Sequence, residues 1–289
     1  MKMTVESEKF SPFDNIRHFI FNDYDIRGEI VQLTDSYKKL IENHNYPACI
    51  NELLGKMQAA ICLITSTLKF EGEIMLQIRG SKELRYAFIN SNNNQETRGL
   101  ASIDGNIADN CEFKDLFDSK AIMTLTVIPQ QGNQYQGIIA LNKDTLDECI
   151  EEYFRQSAQL DTHIQLYADP KAQKCAGLLL QIISSEKKEQ QKLDYEHVCV
   201  LADSLKAEEI LNLYNEEVLH RLYNQESVTL YKNKPVCFKC SCSDEKYISM
   251  IRQMPKEEIL DIFEKEGKIE CQCNYCGKQY YFSNDDIGI

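Results

Sequence analysis

The end of the chain carries its strongest constraint: Cys240-Ser241-Cys242 is answered by Cys273-Asn274-Tyr275-Cys276. Thirty residues, Ser243 to Gln272, separate the two pairs, enough for a small helical hairpin to bring the chain back to one metal ion. A thiolate is a soft donor, and four of them at about 2.3 Å close a tetrahedral shell around Zn²⁺ with no position left for water or substrate. One Zn²⁺ per chain is expected, as a structural centre and not a hydrolytic one. Gly277 directly follows the last cysteine. In a Cys-x-x-Cys-Gly turn the backbone N–H groups point at sulfur while glycine accepts a positive φ. The Cys-x-Cys pair brings two sulfurs close on an extended backbone and so also admits a disulfide. Such a site can hold a metal in one redox state and two disulfides in another.

Two further cysteines compete for the same role. Cys237-Phe238-Lys239-Cys240 is itself a Cys-x-x-Cys, which makes Cys237, Cys240, Cys273 and Cys276 an alternative quartet of the zinc-ribbon kind. Cys271 forms a second Cys-x-Cys with Cys273. Spacing alone leaves these quartets open, together with wholly disulfide pairing and a purely structural zinc without any switching role.

A chain of 289 residues has room for one sizeable core and a smaller unit, here a body followed by a metal-stapled tail. Met1-Lys2-Met3-Thr4-Val5-Glu6 turns acidic at once and no run of eighteen apolar residues occurs, so a soluble, cytoplasmic protein with no membrane partner is expected. Twelve cysteines in such a chain argue for thiols and metal and against a secreted disulfide framework. The scattered six, Cys49, Cys62, Cys111, Cys149, Cys175 and Cys199, read as small buried apolar residues.

The net charge of -13 is spread unevenly: residues 1–182 carry 18 basic against 25 acidic side chains, 183–230 carry 5 against 10, and 231–289 carry 9 against 10. No segment is basic. This counts against nucleic-acid binding, the commonest work of a zinc ribbon, because phosphates need a positive face.

The body reads as α+β. Residues 47–65 place Cys49, Ile50, Leu53, Leu54, Met57, Ala60, Ile61 and Ile64 at helical spacing on one face, to be packed on the sheet that follows. Strands are expected at 74–78, 84–89, 121–128, 135–141 and 162–167, with turn-formers such as Gly80-Ser81 and Gln131-Gly132-Asn133 between them. Short loops of that kind favour antiparallel pairing. A helix over 145–156 is expected with Asp144 as its cap. No catalytic motif accompanies these elements. Gly132 to Gly137 has phosphate-loop spacing, but Ile138-Ile139 stand where lysine and a hydroxyl residue belong. The five histidines are isolated, and enzymatic activity is not expected. Nor does a thioredoxin-like strand and helix surround Cys273 and Cys276.

Beyond the polar run 184–192, two short acidic stretches are amphipathic. Val198, Leu201 and Leu205 make one apolar face; Leu211, Tyr214, Val218 and Leu222 make the other. Helices this short need a partner surface to stay folded. If the tail is that surface, losing it releases both faces to bind other chains.

The metal motif in its setting, Phe238 to Ser243 and Cys273 to Phe282, resembles the redox-regulated 33-kilodalton heat-shock chaperones. So do Ile26-Arg27-Gly28-Glu29, Glu42 to Pro47, Leu68 to Gly72, Asn92 to Gln95 with Arg98-Gly99, Tyr135-Gln136-Gly137, and Asp144-Thr145-Leu146 leading to Glu152-Tyr153-Phe154 and Ser157 to Leu160, in order from about Phe19 to Asp286. The resemblance implies an ATP-independent holdase, folded and largely inactive when reduced and zinc-bound. Its ligands and switch thiols would be Cys240, Cys242, Cys273 and Cys276. Oxidation would join Cys240 to Cys242 and Cys273 to Cys276, release zinc, unfold the tail and loosen the linker; the protein would then dimerise and bind unfolding proteins through the linker's apolar faces. The implied organisation is a body over 1–182, a metastable helical linker over 183–230 and a switch domain over 231–289. Tyr280-Tyr281-Phe282 would pack beside the knuckle. Cys237 and Cys271 depart from the family pattern and stand as competing thiols.

Overall fold

The computed structural model describes residues 13–68, 71–80, 82–183 and 189–288. The opening Met1 to Glu6, Lys69, Phe70, Ser81 and residues 184–188 of the polar run lie outside the described residues. The chain divides into two compact units, Met1–Phe238 and Lys239–Ile289.

The first unit opens with β1 (Asn15–Phe21), β2 (Ile26–Leu33), α1 (Asp35–Ile41) and α2 (Ala48–Thr67). Then come β3 (Gly72–Arg79), β4 (Leu84–Asn92), β5 (Glu96–Ile103), β6 (Ile122–Pro129), β7 (Tyr135–Ala140), α3 (Leu146–Tyr153), β8 (Thr162–Asp169) and β9 (Lys174–Ile182). Three short helices follow, α4 (Glu189–Ala202), α5 (Ala207–Asn212) and α6 (Asn215–Leu222), and the unit ends on β10 (Val228–Leu230), β11 (Lys234–Pro235) and β12 (Cys237–Phe238). All the expected strands form within a few residues of their expected bounds.

These strands make two sheets. One runs β10-β1-β2-β9-β8, with β11 also on β1; the other runs β12-β5-β4-β3-β6-β7. Every pairing is antiparallel except β12 on β5, where Cys237 meets Glu96. Between the sheets lies α2. The sequence points to one apolar face, yet 15 of its 20 residues are buried, because β2, β8 and β9 cover one side while β3, β4 and β5 cover the other. A helix enclosed on all sides reads as nearly apolar throughout. This is also the one helix among the described residues long and apolar enough to cross a bilayer, and 78% of that window is buried inside the fold.

The cap of α3 differs from expectation. Thr145, not Asp144, accepts the Glu148 N–H, and the Glu148 carboxylate reaches back to the Thr145 N–H, a reciprocal capping box. Threonine holds the extended backbone that the cap position requires, and Glu148 three residues on supplies the second half of the exchange.

The apolar faces of α4 to α6 rest on the outer face of the first sheet. Phe19, Phe21, Ile26, Ile30, Leu178 and Leu180 meet Val198, Leu205, Leu211 and Val218 in one buried cluster. Their partner surface is thus the body's own sheet. Polar anchors fix the docking. The Gln32 amide donates to the carbonyls of Ile210 at 2.5 Å and Leu213 at 2.6 Å, Asn215 donates to Asn15 at 2.9 Å, and buried Arg17 pairs with Glu216 at 3.0 Å.

Candidate metal centre

The second unit comprises α7 (Asp244–Ile251), α8 (Lys256–Glu266), the hairpin β13 (Ile269–Gln272) with β14 (Gln279–Phe282), and α9 (Asn284–Ile287). The thirty-residue spacer does form a helical hairpin. Ser243 directly after the first cysteine pair caps α7 by accepting the Lys246 N–H, and Gly267 in the left-handed region ends α8. The chain therefore leaves Cys242 into a helix and returns along β13 to Cys273.

The turn from Cys273 to Cys276 closes through Gly277 N–H to the Cys273 carbonyl at 2.8 Å, and Gly277 takes φ 68°. The four sulfurs of Cys240, Cys242, Cys273 and Cys276 all lie within 4.8 Å of one another. Cys240 and Cys273 stand 3.5 Å apart, as do Cys242 and Cys276. A zinc–sulfur length of about 2.3 Å sets the edge of a tetrahedron at about 3.8 Å. The donor set fits Zn²⁺ in number, softness and spacing. Cys237 and Cys271 do not join this group. Cys237 sits in β12 on the edge of the body's second sheet, where its carbonyl accepts from Thr97, and Cys271 lies opposite Tyr280 in the tail hairpin.

The sulfurs differ in basicity. Burial pushes Cys273 up, but the N–H groups of Cys276 and Tyr275 and the neighbouring thiols outweigh it and hold its pKa down at about 7. This is the N–H cradle anticipated for the knuckle. Burial acts most strongly at Cys240 and Cys276 too, and there it prevails and raises both. Tyr280 and Phe282 are buried beside the sulfurs, while Tyr281 between them is exposed, as alternation along β14 requires. Tyr247 of α7 lies 4.6 Å from the Tyr280 ring, ring centre to ring centre, a neighbour that no spacing rule singles out.

Of the two apolar faces read from the sequence, Val198, Leu205, Leu211 and Val218 are buried on the body, Leu201 and Leu222 pack at the margin of that cluster, and Tyr214 is exposed and stacks on Phe13. His163 ties α4 to the body, with Nδ1 3.1 Å from Glu151 and Nε2 3.1 Å from Asp203. Burial works against its charge, but the two carboxylates prevail and raise its pKa. Sequence reading misses Gln32, Arg17 and His163, each of which finds its partner far along the chain.

A family model described as Hsp33 protein matches residues 14–283. The chain belongs to the Hsp33 family. Proteins named 33 kDa chaperonin from Shewanella sp. (strain MR-4) and Shewanella sediminis are 43% and 45% identical over 274 residues, covering 95% of this chain and 94% of each relative. The crystal structure of a 33 kDa chaperonin from Thermotoga maritima shares the fold, with a TM-score of 0.78 over 95% of this chain and 97% of that one at 20% identity. Membership in the Hsp33 family places the chain among heat-shock chaperones, a class that works by binding and not by catalysis.

Proposed function

We propose that this chain is a redox-regulated, ATP-independent holdase of the cytoplasm. In the reduced state Cys240, Cys242, Cys273 and Cys276 hold one Zn²⁺. When bound, the ion supplies folding free energy on the order of 10–16 kcal/mol to a unit with a thin core. The observation that carries the reading is the convergence of these four sulfurs, two pairs each close enough in sequence to be joined, into one cluster that the tail packs around.

A hydroperoxide oxidises the thiols, joining Cys240 to Cys242 and Cys273 to Cys276. Sulfurs spent as disulfides are no longer thiolate donors, and the tail loses the contribution that folds it. Only Lys239 stands in sequence between β12 and Cys240, so the last strand of the body and the first ligand share one stretch of backbone. Loosening there reaches the linker over 183–230. Its release from the sheet frees Val198, Leu201, Leu205, Leu211, Tyr214, Val218 and Leu222 for unfolding proteins, and the active form is a homodimer. Neither nucleic acid nor membrane enters this cycle. Cys237 and Cys271 are thiols that can divert the pairing.

The test is light scattering from a thermally unfolding client, with the chain either reduced and zinc-loaded or treated with peroxide at mild heat. Suppression by the oxidised sample alone is expected. Equal suppression by both would make the protein a constitutive holdase with a structural zinc, and suppression by neither would remove the holdase reading.

A further inference from the structure

A second thiol pair lies in the body, remote in sequence from the tail. Cys49 is the second residue of α2 and is 6% exposed; Cys111 follows the turn Ala108-Asp109-Asn110 and is half-buried. Two links seat that turn on the start of α2, and a third bond draws Cys111 to the carbonyl of Ala108. The Asp109 carboxylate accepts the Ala48 N–H at 2.9 Å, the Cys49 thiol donates to the Ala108 carbonyl at 3.2 Å, and the Cys111 N–H donates to that same carbonyl at 3.1 Å. Both thiols are free, and both line one cavity of about 400 Å³ together with Lys56, Asp109, Phe113 and Leu146. Sequence alone assigns each of them only a packing role.

We propose that Cys49 and Cys111 are a second redox couple, closed to a disulfide by a hydroperoxide, which ties the start of α2 to the 108–111 turn and braces the body. The peroxide transfers one oxygen to the sulfur of Cys111, the more exposed of the two, giving a sulfenic acid and releasing water or an alcohol. The Cys49 sulfur then attacks the Cys111 sulfur. The S–S bond forms as the S–O bond breaks, and hydroxide leaves with the Cys49 proton as water. In sum, two thiols lose two hydrogens and the peroxide is reduced. Burial raises the pKa of both thiols, which keeps the thiolate fraction small and the reaction slow. The couple is therefore suited to sustained oxidation. Because the bond spans residues 49–111, it restrains a long loop of the unfolded body. None of this rests on metal binding by the tail.

Peptide mapping of the full-length protein after graded hydrogen peroxide, with free thiols alkylated before non-reducing digestion, tests the proposal directly. The Cys49 peptide linked to the Cys111 peptide is expected, accumulating with prolonged exposure and lost on treatment with dithiothreitol. The body of the oxidised wild type should melt about 5 °C or more above that of equally oxidised Cys111→Ser. Recovery of both cysteines alkylated after the tail thiols are fully oxidised would overturn the couple. So would Cys111 over-oxidised to a sulfinic acid beside a free Cys49, or either residue linked to another cysteine. A link without a rise in melting temperature would overturn the bracing.

Discussion

The body is centred on α2, with 15 of 20 residues buried between two sheets, whereas the tail is centred on four sulfurs with seven buried residues about them, one being Cys273 itself. Apolar burial contributes in small increments spread over many side chains, so the body has no single point of failure. Under the proposed function, the tail instead concentrates its stability in a few bonds to one ion. A structure of the first kind resists chemical change at its surface, while one of the second kind, under the proposed joining of its four ligands into two disulfides, would convert oxidation into unfolding. The two units of the same chain thus differ in what can destroy them.

The largest expected effect falls on the tail. Removing metal with a chelator under reducing conditions, or replacing Cys273 by Ser, withdraws a contribution on the order of 10 kcal/mol. In amide correlation spectra the resonances of 239–288 should collapse to random-coil positions while those of the body stay dispersed. A tail that remains dispersed without metal breaks the comparison.

Next comes the reciprocal experiment. Leu54 is fully buried in α2, and Leu54→Ala should cost the body about 3 kcal/mol through lost burial and the cavity left behind. The body's melting temperature should fall, with zinc stoichiometry unchanged. Loss of zinc from this variant would show that the units are not separately stabilised.

Asp147 sharpens the contrast through pH. Burial, opposed by the Leu166 N–H that it accepts at 2.8 Å, raises its pKa from 3.8 to about 6. A carboxyl whose folded pKa lies above its unfolded one favours the fold while protonated. The contribution is complete below about pH 4 and is lost as pH rises through about 6, amounting to about 2–3 kcal/mol. Asp147→Asn keeps an acceptor for Leu166 and should stabilise the body at pH 7 while flattening its stability between pH 4 and 6. A denaturation series across that range decides it; an unchanged slope in the variant would remove Asp147 as the cause. The smallest effect belongs to Thr145→Ala. It removes half of the α3 capping box and should cost about 1 kcal/mol in chemical denaturation, with the tail unaffected.

What can be read from the sequence follows the same division. The expected strands at 74–78, 84–89, 121–128, 135–141 and 162–167 are legible because alternation or a bounded apolar run marks them. Four interior strands, β1, β2, β5 and β9, are not. β2 and β9 are buried on both faces, so Leu178-Leu179-Leu180 shows no period that separates strand from helix, and β5 mixes charged, small and apolar residues without alternation. One of these, Gly99, is dictated by crowding: a Cβ there would stand 2.3 Å from Ile89 Cδ1. For the candidate site, spacing leaves rival quartets. The choice between them lies in three dimensions, because β12 engages Cys237 in a sheet with Glu96, far earlier in the chain. The docking of α4 to α6 is half legible. Their apolar faces are visible, but the surface that receives them is assembled from β1, β2 and β9, and no local rule joins Gln32 to residues 210 and 213.

That last contact has a consequence for how the sequence can drift. Gln32 grips main-chain oxygens, which every residue carries, left without partners at the end of α5. Side chains around 210–213 can therefore be exchanged for others of similar bulk with the grip intact, whereas loss of the Gln32 amide strands both carbonyls at once. Tolerance to substitution should be lopsided across this contact, with freedom on the helical side and little on the sheet.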